Sequence, residues 1–132
     1  MRPALLAFFL FSLTACSGDE TASRYGAAGK TWALQEIDGR AWTERATLVF
    51  DGTAISGQAP CNRYSASQSA PYPWFEVTDL VQTKLACPSL DAENRFLSAL
   101  TAMRLIEVSD STLILSDETG REMIFTPAQS GG

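Results

Sequence analysis

Ile55-Ser56-Gly57-Gln58-Ala59-Pro60-Cys61-Asn62-Arg63-Tyr64 and, further along, Thr83-Lys84-Leu85-Ala86-Cys87 contain two of the three cysteines in this 132-residue chain. The reading of the whole domain turns on these two stretches. Thr53 to Gly57 and Asn62 to Ser67 read as consecutive strands, the second polar but able to present Tyr64 inward. Upstream, Ala46 to Phe50 places Leu48 and Phe50 on one face, and Asp51-Gly52 supplies the positive-φ positions of a tight hairpin into Thr53. Thr31 to Ile37, with Trp32 and Leu34 two apart, opens the domain as a first strand, and Asp38-Gly39 turns it.

Downstream, Pro71-Tyr72-Pro73-Trp74-Phe75 interrupts the pattern, because two prolines do not fit a central strand. Alternation resumes at Phe75 and predicts a strand running through Leu80 and Val81 to Thr83. Pro88-Ser89 looks like a helix start, with Ser89 as candidate N-cap and Asp91 and Glu93 in or near the first turn. Leu90, Phe96, Leu97, Leu100 and Met103 fall on one face, predicting a single helix from Leu90 to Met103. Strands over Leu105 to Val108, Thr112 to Leu115 and Met123 to Thr126 complete the chain. The expected class is mainly β (α+β): an antiparallel barrel-like sheet of about eight short strands with one helix packed on it.

The front of the chain reads differently. Arg2 precedes Ala4-Leu5-Leu6-Ala7-Phe8-Phe9-Leu10-Phe11, about half the roughly 20 apolar residues of a spanning helix. Leu13-Thr14-Ala15-Cys16 then resembles the bacterial lipobox, which makes residues 1–16 a lipoprotein signal peptide and Cys16 the lipidated amino terminus. No Asp follows Cys16, which resembles lipoproteins sent to the outer membrane, facing the periplasm; inner-membrane anchoring is the alternative. Residues 17–29 are small and polar without periodicity and read as a flexible tether. The domain is expected over 30–127, with 128–132 a loose tail.

Composition narrows function. Without the signal about 116 residues remain, and without the tether about 100, enough for one core. Losing Arg2 leaves nine basic residues against 15 acidic ones. That balance, with no basic run, argues against nucleic acid and against adsorption to anionic lipid by charge. The chain has no histidine, which removes Ser-His and Cys-His nucleophile pairs and most zinc sites. No cofactor, metal site or catalytic set is expected, and Asp79, Asp91 and Glu93 read as solvated carboxylates.

The order Trp32-x-Leu34, Leu48-x-Phe50, Ser56-Gly57, Cys61-Asn62-x-Tyr64, Thr83-x-x-Ala86-Cys87, then a helix with Glu93, Phe96, Leu97 and Leu100, resembles the META domain (HslJ-like) family of bacterial envelope proteins. The resemblance covers about residues 30–126; Pro60 stands where the family often has Gly. It implies a small β-barrel of lipocalin-like topology, often in lipoproteins or secreted proteins and sometimes linked to stress, with no catalytic residues to carry over.

In an exported protein Cys61 and Cys87 are expected to form a structural disulfide. The alternative is a redox pair, since Cys87 lies just before the helix. Asn62, Tyr64 and Thr83 read as packing and turn residues beside the disulfide, or as a ligand contact. Tyr72 and Trp74 either fold over the open end of the barrel or form an aromatic patch for a partner. Trp32 and Trp42 read as core and rim. The expected protein is a non-enzymatic, monomeric, lipid-anchored envelope component acting through an envelope protein partner or a small amphipathic ligand. The competing expectation is a lipocalin-like carrier with an apolar ligand inside the barrel. A filled interior of Trp32, Leu48, Phe50, Val77 and Phe96 would separate the two.

Overall fold

The computed structural model describes residues 18–129. Cys16, the lipobox and the end of the tail (130–132) lie outside the described residues. Nine strands form one antiparallel sheet: β1 (Thr31–Ile37), β2 (Arg40–Ala41), β3 (Thr47–Asp51), β4 (Ala54–Gln58), β5 (Arg63–Ser67), β6 (Thr78–Gln82), β7 (Leu105–Val108), β8 (Leu113–Ser116) and β9 (Glu122–Pro127). The order from edge to edge is β6-β5-β4-β3-β1-β9-β8-β7, with β2 paired to β1 alone. The sheet curls into a half-barrel around one helix, α1 (Leu90–Ala102). The expected class holds.

The alternation read along the strands is the alternation seen. Trp32 and Leu34 on β1, Leu48 and Phe50 on β3, Leu113 and Leu115 on β8, and Met123 and Phe125 on β9 are all buried. Phe96, Leu97 and Leu100 close the concave side from α1. Of the expected barrel fillers, Trp32, Leu48, Phe50 and Phe96 are buried, whereas Val77 is only partly so. Ile55 and Phe75 share the interior with them. A lipocalin-like ligand would need the space those side chains occupy.

The two hairpin turns behave as their residues dictate. Ile37 pairs with Arg40 across Asp38-Gly39, and both turn residues have positive φ (52° and 77°). That is the two-residue turn whose twist matches paired strands. It creates β2, a strand too short for sequence periodicity to reveal. In the β3–β4 turn only Gly52 has positive φ; Asp51, expected to share it, instead pairs with Ala54 as the last residue of β3, so the turn residues are Gly52-Thr53.

Several expectations are corrected. The stretch read as a tether is packed over residues 21–27, in a wide helical turn around Ser23–Ala27. Ala22 and Ala27 are fully buried. The Trp32 indole donates to the Ala27 carbonyl at 2.9 Å, and the Ser23 hydroxyl donates to the Gly52 carbonyl at 2.6 Å. Small side chains let this backbone lie close on the sheet. At its start, the Thr21 hydroxyl and N–H both donate to Asp19, holding that carboxyl below its usual range.

The strand expected from Phe75 begins only at Thr78. Residues 73–75 instead run along the outer edge of β7: the Ile106 N–H donates to Pro73, the Phe75 N–H donates to Arg104, and Trp74 bridges to Leu105. One free sheet edge is thereby covered. Leu90 is 40% exposed and does not join the helix's apolar face. Ser89 makes no capping bond; its hydroxyl donates to Glu44.

Candidate functional site

The two cysteine stretches meet at the start of α1. Cys61 and Cys87 are disulfide-bonded, with Cα atoms 5.8 Å apart. The bond joins the β4–β5 turn to the segment that leads into the helix. Beside it lies a polar network centred on Glu93, which is completely buried. Its Oε1 accepts the backbone N–H groups of Cys61 (3.1 Å) and Asn62 (2.6 Å). Its Oε2 accepts the side-chain amide of Asn62 at 2.7 Å. All three partners are N–H donors, the surroundings an acceptor-only carboxylate requires.

Asn62, also buried, carries the network onward. Its Oδ1 accepts the Leu85 N–H (2.6 Å) and the Thr83 hydroxyl (2.9 Å), and its Nδ2 also donates to the Leu85 carbonyl (3.1 Å). Thr83 Oγ1 in turn accepts the Arg63 N–H at 3.2 Å. One asparagine thus ties the β4–β5 turn, the segment after β6 and the helix together. Each polar atom of the cluster already has a partner.

Tyr64 sits deeper. Its ring packs edge-on to Phe96, with centroids 5.6 Å apart, and its hydroxyl donates to the Thr47 carbonyl. Burial pushes the phenol well above its usual 10.0, so it stays protonated. Gly57, paired with Tyr64 across the ladder, makes room for this contact. A Cβ there would overlap the Thr47 carbonyl and stand 2.8 Å from the Tyr64 hydroxyl. The Ser-Gly of the motif is therefore a close-approach glycine.

Cys61, Cys87, Asn62, Tyr64 and Thr83 are thus brought together, as the two motifs suggested. Glu93, read as a solvated carboxylate, is the centre of that group instead. The missed signal was its phase: Glu93, Phe96, Leu97 and Leu100 share one helical face, so a carboxylate sat in the apolar stripe. Tyr72 and Trp74 lie elsewhere, over the β7 edge. Tyr72 stacks on Tyr25 (4.6 Å, 10° between planes), and its hydroxyl accepts the Val108 N–H. Phe75 plugs the interior while Trp74 remains 57% exposed, so this loop both covers the barrel end and leaves an aromatic outside. Among the described residues no three His, Cys, Asp or Glu side chains cluster to hold a metal ion.

Three solved structures share this fold. An NMR structure from Burkholderia xenovorans has a TM-score of 0.62 at 22% identity, covering 87% of this chain and 94% of that one. A second NMR structure has a TM-score of 0.58 at 19% identity, covering 74% and 88%. The crystal structure of a DUF4847-family protein from Bacteroides vulgatus has a TM-score of 0.65 at 12% identity, covering 83% and 99%. At these identities the likeness is one of fold. No curated protein matches the sequence. The META domain family model, however, matches residues 26–130, spanning both cysteine motifs, the helix and every strand. The chain belongs to the META domain family.

Proposed function

We propose that this protein is a non-enzymatic envelope component, held by lipid on Cys16 at the periplasmic face of the outer membrane, whose META domain works by surface contacts. The observation that supports this reading is the saturation of the motif. Glu93, Asn62, Thr83 and Tyr64 spend their hydrogen bonds on one another and on backbone. A group so engaged is not free to act as base or nucleophile. The filled interior likewise directs binding to the outside, which favours a support or contact role over a carrier. The role proposed with it is envelope maintenance through a protein partner or a small ligand, with the domain acting as a monomer.

Complementation of a deletion strain under detergent or osmotic challenge tests this. The wild-type chain restores growth and, purified from membranes, carries lipid mass on a chain starting at Cys16. The Cys16→Ser chain appears in the soluble extract and fails to restore growth. Thr83→Val and Tyr64→Phe restore growth in proportion to their thermal stability. A motif variant that folds as stably as wild type yet loses all complementation would return chemistry to the motif and sink the non-enzymatic reading.

A further inference from the structure

The turn that makes β2 also builds a cleft. The β1–β2 hairpin, the solvent-facing side of α1 and the β8–β9 turn enclose about 660 Å3, within the roughly 300–1,000 Å3 of small-molecule sites. Asn94, Arg95 and Ser98 face it from the helix, at spacing that puts them on one side. Arg40 and Trp42 enter from the hairpin, and Arg121 from the β8–β9 turn.

Charge and shape here run against the rest of the molecule. Three of the nine basic residues among the described residues line this cleft, against one of the 15 acidic ones. That one, Asp38, is taken by Arg121 (Nε to Oδ2, 3.1 Å). Arg40 and Arg95 form no ion pair among the described residues. Arg95 lies over the Trp42 ring, 5.4 Å from its centroid, and Phe96 supports that ring from the core side. Ile37, Ala41 and Trp42 supply apolar wall. The Trp42 indole N–H is buried without an acceptor, the one such side-chain nitrogen or oxygen among the described residues. An unpartnered buried donor is costly, and with essentially no accessible surface it meets an acceptor only if the indole shifts when a ligand binds.

We propose that this cleft binds a small amphipathic organic anion, a carboxylate or phosphate on an apolar body. The guanidiniums of Arg40 and Arg95 take the anionic head, as planar forks suited to such groups. Ile37, Ala41 and Trp42 take the body. The inference deepens the reading of the domain as a contact module and is independent of the anchor. A missing lipid would sink the anchor and leave the cleft; a failed titration would do the reverse.

The test is titration of the full mature chain, labelled with nitrogen-15, following the indole N–H signals of its tryptophans. The probes are 2-naphthyl phosphate, neutral 2-naphthol and inorganic phosphate. The expected result is a selective shift of the Trp42 signal by naphthyl phosphate, with affinity falling as salt rises. Naphthol and phosphate alone bind at least about ten-fold more weakly, and Arg40→Gln and Arg95→Gln each cost about ten-fold. Asp38→Asn, which suits the positive φ of the turn and releases Arg121, tightens binding about three-fold or more. Phosphatidylglycerol vesicles separate two sources of such an anion. The same shifts, lost in the same variants, would make the ligand a lipid headgroup; no shift would leave a soluble anion. No Trp42 shift up to about 10 mM naphthyl phosphate, or shifts indifferent to all three substitutions, would overturn the proposal.

Discussion

Glu93 and Arg95 are two residues apart on α1, about 200° around its axis, and their surroundings differ as much as their directions. Around Glu93 water is excluded, and three N–H groups converge on one carboxylate. Around Arg95 the helix faces solvent, with a cationic head lying over an indole. The first region holds the family motif, and its polar groups are all engaged. The second lies outside the motif, and some of its polar groups are not. Polarity inside a motif is therefore weak evidence for a binding site; an unspent hydrogen bond or an unpaired charge says more.

If the Glu93 region is scaffold, damage there appears as lost stability. Glu93→Ala takes the acceptor from the buried Asn62 N–H, from the part-buried Cys61 N–H and from one of the two Asn62 amide hydrogens, so it is expected to cost on the order of 3–5 kcal/mol in urea denaturation with the disulfide intact. A cost below about 1 kcal/mol would mean the network contributes little and the contrast collapses. Gly57→Ala comes next, since its methyl collides with the Thr47 carbonyl; a loss of about 1–3 kcal/mol is expected in thermal melts.

Tyr64→Phe removes one hydrogen bond and is expected to cost about 1 kcal/mol at neutral pH. It also has a pH signature. The folded phenol titrates above the unfolded value of 10.0, so its contribution is fully present below that pH. As pH rises past 10 the unfolded chain sheds the proton first, and stability falls. The wild type should show this alkaline loss and Tyr64→Phe should lack it; equal slopes would contradict the buried phenol. At the other end of the scale, Arg95→Gln should change stability by no more than about 0.5 kcal/mol. A larger loss would make the cleft part of the scaffold too.

Much of this architecture was legible in the sequence, because burial on one face of a strand writes period-two alternation directly. β1, β3, β8 and the helix came through within a residue or two. The disulfide followed from two cysteines in a chain read as exported. What escaped was carried by contacts distant in sequence. Glu93 meets Cys61 and Asn62 across 31 or 32 residues, and no local pattern specifies that meeting. The packed turn at 21–27 escaped because alanine and serine bury backbone rather than bulk and leave no periodic trace. β2 escaped because two residues cannot show a period, although Asp38-Gly39 marked its turn. The cleft escaped because it joins a hairpin, a helix and a turn that only the fold brings side by side.

Asn62 and Glu93 act as one unit that pins the disulfide-bonded turn to the helix. The direct test is a double-mutant cycle by urea denaturation: wild type, Asn62→Ala, Glu93→Ala and the double variant, all oxidised. A coupling energy of about 1–3 kcal/mol is expected, with the double variant losing clearly less than the two single losses together. Losses that add to within about 0.3 kcal/mol would show two independent residues and contradict the scaffold.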